Sequence, residues 1–150
     1  MAQYLTSEGY NSAELYTTTW GSADYINGVD NYHSKEFVLR LRKFVEVVLA
    51  YTGAPQVNVI GHSMGVTLAR KVLKGGSAKD HKDGVYNIGD SLAPYVKSFV
   101  GLAGGNLGLA NCVASSVIPT CGDVDGFYPG LTILSGPSTF LHNLNQNGGK

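Results

Sequence analysis

Five consecutive residues, Gly61-His62-Ser63-Met64-Gly65, have the form G-x-S-x-G, whose chemistry is nucleophilic catalysis by a serine. In a strand–turn–helix setting, this motif holds its serine in a strained backbone conformation and lifts the hydroxyl clear of the sheet. The flanking glycines lack Cβ atoms, so a strand and a helix can approach closely there. Ser63 is therefore the predicted nucleophile, and the backbone N–H of Met64 is the predicted oxyanion donor. His62 is predicted to be a packed or rim histidine, because adjacent side chains on a tight turn point apart.

The residues on either side of the motif predict the elements that would position it. Residues 57–60 are mostly β-branched and apolar, as in a strand buried on both faces. Residues 66–74 predict a helix that ends at Gly75-Gly76, and the N-terminus of that helix would favour developing negative charge near the serine. A second strand is predicted over 96–103, which gives a βαβ unit and a parallel sheet. The Gly-rich loop that follows lies where ligands bind in such sheets, but its spacing does not match a dinucleotide fingerprint.

Periodicity and turn residues predict the remaining elements. Ser34 is the predicted N-cap of a long helix whose apolar stripe would face the core. The polar segment 75–90, which contains His81 and Asp83, is predicted to be a surface loop. The other predictions are a helix end over 1–9, a strand over 14–20, a loop over 24–32, a helix over 34–51, irregular chain over 112–130 and a short helix over 138–145.

Composition restricts the classes of function. The chain has 150 residues, the size of one ordinary domain, so residues 1–150 are predicted to form a single domain. Apolar residues make up 43% and charged residues 15%, which is enough for a packed core. The net charge is zero and basic blocks are absent from the sequence, so we expect no nucleic-acid partner. Its apolar runs are shorter than the roughly 18 residues that a membrane span needs, and residues 1–15 show no signal-peptide core.

Two cysteines, Cys112 and Cys121, are separated by eight intervening residues in a stretch rich in turn formers. A short disulfide loop is the favoured interpretation, and it would indicate an oxidising compartment. Two free, partly buried thiols are the alternative. The cysteines and the four histidines lack the spacing of zinc ligands, so no metal or organic cofactor is predicted.

Two blocks of the chain resemble a known family. Residues 57–71, which include the motif, and residues 99–108, which include Gly104-Gly105-Asn106, are similar to the class 2 lipases, above all the nematode group. The resemblance extends to residues 10–20, to the cysteine loop and to residues 138–141. Those lipases in turn resemble the small bacterial lipases of the α/β-hydrolase fold. The resemblance implies an α/β fold, a parallel-sheet α/β-hydrolase-like core flanked by helices, and a secreted serine hydrolase of carboxylic esters, in particular acylglycerols.

The chain also departs from the family pattern. The family opens with a strand and a His-Gly loop that supplies a second oxyanion donor, and it places its catalytic acid and histidine beyond the region that matches Phe140. The resemblance therefore implies the middle of a domain, with both ends missing. An internal alternative follows the family order of serine, acid and histidine: Asp123 or Asp125, then His142. His142 falls within a helical pattern, however, and the two aspartates are typical turn residues beside Gly122 and Gly126.

The sequence therefore predicts ester hydrolysis with a lipid or ester substrate and transient contact with a lipid surface, and it leaves the oligomeric state open. A catalytically incomplete module that binds lipid or a partner protein is the alternative. A third possibility is a chain with open sheet edges that associates or aggregates.

Overall fold

The computed structural model describes residues 1–21, 26–114, 117–131 and 135–146, and within these ranges it contains four α-helices and four strands. The helices are α1 (Ala2–Ser7), α2 (Lys35–Thr52), α3 (Met64–Lys74) and α4 (Thr139–Asn145). The strands are β1 (Val57–His62), β2 (Gly76–Asp80), β3 (Gly84–Gly89) and β4 (Val96–Leu102). The fold is mixed α/β, as predicted, and is compatible with part of an α/β-hydrolase core.

A parallel pair of strands forms the support of the motif. β1 pairs with β4 in a register that runs from Asn58↔Ser98 to His62↔Leu102. α3 connects the two strands and packs on β1, so the predicted βαβ unit is confirmed. The alternate residues Ile60, Val100 and Leu102 are exposed on the other face of this sheet. One face of the pair is therefore packed and the other is open.

The predicted surface loop over 75–90 is wrong, because β2 and β3 form an antiparallel hairpin there. Its inward side chains alternate as a half-buried sheet requires: Ala78 and Asp80 from β2, and Tyr86 and Ile88 from β3. The buried carboxylate of Asp80 and the exposed apolar side chain of Val85 break this alternation in the sequence.

The predicted strand over 14–20 is also wrong. A 3₁₀ turn covers Ser12–Glu14, and residues 15–20 have no regular structure. β-forming side chains stabilise a strand only when a partner strand is available, and the described residues provide none here. Instead, Trp20 packs edge-on against Phe37 of α2, with 5.4 Å between ring centroids. Of the loop predicted over 24–32, residues 24–25 lie outside the described ranges, and Ile26–Asp30 forms a 3₁₀ helix.

The other predicted helices are confirmed. The Ser34 hydroxyl caps α2 by accepting a hydrogen bond from the Phe37 N–H, and Gly53 ends the helix in a left-handed conformation. Ser138 caps α4 in the same way. Buried side chains from α3, the hairpin and α4 meet in one core. No helix among the described residues has both the length and the apolar character needed to cross a membrane.

A disulfide joins Cys112 and Cys121, so the favoured interpretation of this pair is confirmed. Both residues are buried, and each ends a 3₁₀ turn, Ala110–Cys112 and Pro119–Cys121. Residues 112–114 and 117–130 are otherwise irregular, as predicted.

Candidate active site

Ser63 occupies the turn between β1 and α3 in an unusual backbone conformation. Its φ is 53° and its ψ is −128°, a region that non-glycine residues rarely adopt. Such a residue costs about 1–3 kcal/mol and persists only where its surroundings hold it in place. The Ser63 side chain is exposed, and the described residues show no hydrogen bond from it to the start of α3. The hydroxyl is therefore presented to solvent at a strained turn.

Backbone contacts hold this turn. The Ser63 N–H donates to the carbonyl oxygen of Leu102 at 2.9 Å, which links the carboxyl ends of β1 and β4. The Ser63 carbonyl accepts from the Val66 N–H at 3.0 Å. Ala103, directly after β4, also has a positive φ of 52°. Two strained residues thus lie side by side at the carboxyl edge of the sheet, where such strain commonly accompanies function.

Gly61 allows the close packing that the motif requires. A Cβ atom at this position would lie 3.0 Å from the carbonyl oxygen of Gly65 and from the Cα of Val66. The predicted close approach of strand and helix is therefore present at Gly61. A Cβ at Gly65 would instead meet the indole nitrogen of Trp20 at 3.5 Å, an ordinary van der Waals contact.

Met64 is the first residue of α3, and its side chain is buried. An N–H group at this position has no acceptor within its own helix, and the helix dipole adds partial positive charge there. The first turn of α3 contains no acidic residue that would oppose a negative charge. His62 is exposed at the end of β1, in register with Leu102, which agrees with a rim position.

The three candidate partners of Ser63 are not joined to one another. His142 is exposed on α4, and its Nε2 hydrogen-bonds to the side-chain amide of Gln146 at 2.6 Å. Asp123 is exposed, and its backbone carbonyl accepts from the Thr139 N–H. Asp125 is buried and bonds to a different histidine. Within the described residues, no hydrogen bond or ion pair connects His142 to either aspartate.

Asp125 pairs with His81, a contact that the sequence did not predict. Its carboxylate accepts from the backbone N–H of His81 and lies 2.9 Å from the Nδ1 atom of the same residue. His81 lies in the tight turn after β2, and its ring packs against the ring of Tyr32. The two partners are 44 residues apart in the chain, so no local pattern reveals the pair.

His33 is a second histidine that sequence analysis missed. Its ring is fully buried, stacks on Phe140 with 4.0 Å between centroids, and lies 2.6 Å from the Thr67 hydroxyl through Nε2. Nδ1 lies 2.7 Å from the backbone carbonyl of Asp125, which can only accept, so Nδ1 carries the proton and donates. Burial lowers the pKa of His33 to about 4, although the Asp125 carbonyl opposes the shift. The neutral ring thus ties α3, just behind the motif, to the irregular segment.

A family model described as lipase (class 2) matches residues 1–150. The match covers the strained turn, both strands that carry it and the disulfide loop. No curated protein sequence matches the chain.

Proposed function

The chain belongs to the class 2 lipase family, a family of ester hydrolases, and we propose that it hydrolyses lipid esters with Ser63 as the nucleophile. One observation carries the proposal. Ser63 is exposed, has a φ of 53°, and directly precedes a helix at the carboxyl edge of a parallel sheet. A serine with only a structural role has no need of this strained conformation.

The proposed reaction has two steps. The Ser63 Oγ attacks the acyl carbon, and the Met64 N–H donates to the oxyanion that develops. The ester C–O bond then breaks, and the alcohol leaves with the proton that a histidine has taken from Ser63. Water next attacks the acyl-enzyme, which releases the carboxylic acid and restores the Ser63 hydroxyl.

The base and the acid form a separate part of the proposal. His142 with Asp123 or Asp125 has the chain order of the family, serine, acid, histidine. For His142 to act on Ser63, its Nε2 must leave Gln146, and for Asp125 to orient it, the carboxylate must leave His81. Substitution His142→Ala therefore separates two cases: a base within these residues, or a nucleophile activated by other means.

Labelling with a fluorophosphonate probe tests the nucleophile, because the probe reacts with an activated serine and not with a merely exposed one. We expect the wild-type chain and a Ser98→Ala control to label, and Ser63→Ala to remain unlabelled. Ser98 is a suitable control because it is also exposed and lies on β4, the strand that pairs with β1. A folded wild-type chain that does not label, or a Ser63→Ala variant that still does, would refute the proposal.

Secretion is a further part of the proposed function. The Cys112–Cys121 disulfide and the family both support it, since disulfides persist mainly in oxidising compartments. Alkylation of the protein as it is isolated from its source, followed by mass spectrometry, should find both cysteines oxidised. Free thiols at both positions would count against secretion.

A second candidate function rests on the open face of the parallel sheet. Ile60, Val100 and Leu102 expose apolar side chains there, and such a surface can bind lipid or a partner protein. This module would keep the strained turn without catalysis. Co-sedimentation with phosphatidylcholine vesicles, compared between the wild-type chain and Val100→Ser, distinguishes it from the hydrolase. Vesicle binding that Val100→Ser abolishes, in a chain that the probe does not label, would favour the binding module.

A further inference from the structure

Three side chains with metal-binding atoms meet where the β2–β3 turn touches the irregular segment. The carboxylates of Asp80 and Asp125 and a ring nitrogen of His81 all lie within 4.8 Å of one another. Asp80 is 2% exposed and Asp125 is 1% exposed, whereas His81 reaches the surface. Two buried carboxylates this close repel each other unless positive charge lies between or beside them.

Two lysine ammonium groups near the cluster contact other side chains. The Lys82 ammonium lies over the Tyr32 ring, 5.3 Å from its centroid, and the Lys35 ammonium pairs with the exposed Asp83 at 3.7 Å. The Asp80 carboxylate accepts hydrogen bonds from the backbone N–H groups of Lys35, Lys82 and Asp83, at 2.7–3.1 Å.

A buried hydroxyl beside the cluster supplies independent support. Tyr86 is only 7% exposed, and its hydroxyl has no hydrogen-bond partner among the described residues. Tyr86 pairs with Ala78 across the hairpin, so it shares the inward face with Asp80. Burial raises the pKa of Tyr86, and the negative charges of Asp80 and Asp125 raise it further. A buried polar atom without a partner commonly marks the position of a bound water or ion.

A cavity of about 220 Å³ lies beside two members of the cluster. His81 and Asp125 line it together with Gly122, Asp123 and an apolar wall that includes Ile118. The cavity therefore gives an ion access to His81 and Asp125.

We propose that Asp80, His81 and Asp125 bind one Zn²⁺ ion, and that the Tyr86 hydroxyl bonds to a water molecule on that ion. One imidazole and two carboxylates are a donor set for Zn²⁺, whereas Ca²⁺ and Mg²⁺ prefer oxygen ligands alone. Tetrahedral ligands about 2.0–2.1 Å from zinc lie roughly 3.3 Å apart, so the cluster must contract slightly on binding. The His81 Nδ1 would bind zinc in its unprotonated form and give up its contact with Asp125.

This site departs from the expectation that the chain has no metal, which rested on the sequence spacing of cysteines and histidines. The proposed ligands come from two segments, so spacing along the chain says nothing about them. The ion would fasten the hairpin turn to the irregular segment, and it has no part in the attack by Ser63.

Titration of the chelator-treated chain with Zn²⁺ by isothermal calorimetry tests the proposal. We expect one ion per chain, tighter binding of Zn²⁺ than of Ca²⁺, and a higher melting temperature with zinc, since a ligand of the folded state stabilises it. His81→Ala and Asp125→Asn should each weaken binding by more than about tenfold. Asp83→Asn is the matched control, because Asp83 lies on the same turn but is exposed and paired with Lys35, and it should bind zinc as the wild type does.

Tyr86→Phe keeps the test decisive if the ligand variants fail to fold. It removes only the unpartnered hydroxyl, so the metal-free variant should melt no lower than wild type, while its zinc affinity should fall by up to about tenfold. Absence of zinc binding by the folded wild-type chain would overturn the site, and so would unchanged affinity in both His81→Ala and Tyr86→Phe. Tighter binding of Ca²⁺ than of Zn²⁺ would overturn the assignment of the ion.

Discussion

The stability of the chain should fall as the pH drops from about 7 to about 5, because the fold requires a neutral His33. Burial lowers the pKa of this residue from 6.5 to about 4, with a smaller opposing effect of the hydrogen bond to the Asp125 carbonyl. Because Nδ1 carries the proton, Nε2 is an acceptor for the Thr67 hydroxyl, 2.6 Å away, and the same hydroxyl also lies 2.9 Å from the Met64 carbonyl oxygen. Protonation at Nε2 would remove that acceptor and place a charge beside the ring of Phe140.

The sign and the magnitude of this stability change follow from the pKa of His33 in the unfolded chain and in the folded chain. Between about pH 4 and pH 6.5 the unfolded chain binds more protons at this residue than the folded chain does, so the free energy of unfolding rises with pH. The stability that depends on a neutral His33 is complete above about pH 6.5 and is lost as the pH falls toward the pKa of the folded state. At 1.36 kcal/mol for each pKa unit, the loss is about 2 kcal/mol at pH 5 and about 3 kcal/mol below pH 4.

Urea unfolding at about pH 7.5 and pH 5 measures this loss. The test variant is His33→Gln, whose amide can still donate to Asp125 and accept from Thr67 but does not titrate. The control is His62→Gln, which changes an exposed histidine. We expect wild type and the control to lose about 2 kcal/mol more than His33→Gln between the two pH values. Equal losses in all three chains would refute the assignment of the effect to His33.

Two further substitutions test the strained turn and the disulfide. Ser63→Gly should raise the free energy of unfolding by about 1 kcal/mol, because glycine adopts a positive φ without strain, whereas Ser98→Gly on β4 should lower it; a destabilised Ser63→Gly variant in a melting experiment would show that the turn is not strained. Replacing both Cys112 and Cys121 by serine should lower the free energy of unfolding by roughly 2–3 kcal/mol, the chain-entropy value for a loop with a sequence separation of 9. Urea unfolding with and without a reducing agent checks this, since the reduced wild type should match the double variant.

Elements whose start and end are marked by capping and stop residues could be predicted from the sequence. α2 has a serine cap, an apolar stripe and a glycine stop, and α3 runs from the motif to Gly75. The hairpin over 76–89 was missed because its inward positions include the carboxylate of Asp80, which reads as a loop residue. Asp80 is buried only because backbone N–H groups of two segments satisfy it. The opposite error, at 14–20, arose from β-forming residues that lack a partner strand.

The candidate site also contains one part that the sequence predicts and another that depends on contacts between distant segments. The nucleophile turn is a local motif, so five residues and their flanks predicted Ser63 at a strand–helix junction. The environments of Asp125 and His33 depend on segments that meet only in the folded chain. Asp125 was predicted as a turn residue beside Gly126, but its carboxylate reaches a histidine of the hairpin. Spacing along the chain cannot reveal such a pair.

Helix α3 connects the Ser63 turn to the buried residues around His33 and Asp125. A strained residue persists only when more contacts fix it than a single turn can supply. Ser63 is fixed from the sheet side by the carbonyl of Leu102, and α3 is fixed from behind by Thr67, whose hydroxyl lies between the Met64 carbonyl and the ring of His33. His33 in turn bonds to the backbone of Asp125, whose side chain meets the hairpin. The rigid placement of Ser63 therefore depends on residues that take no part in the proposed attack, which is why their burial and their hydrogen bonds bear on function.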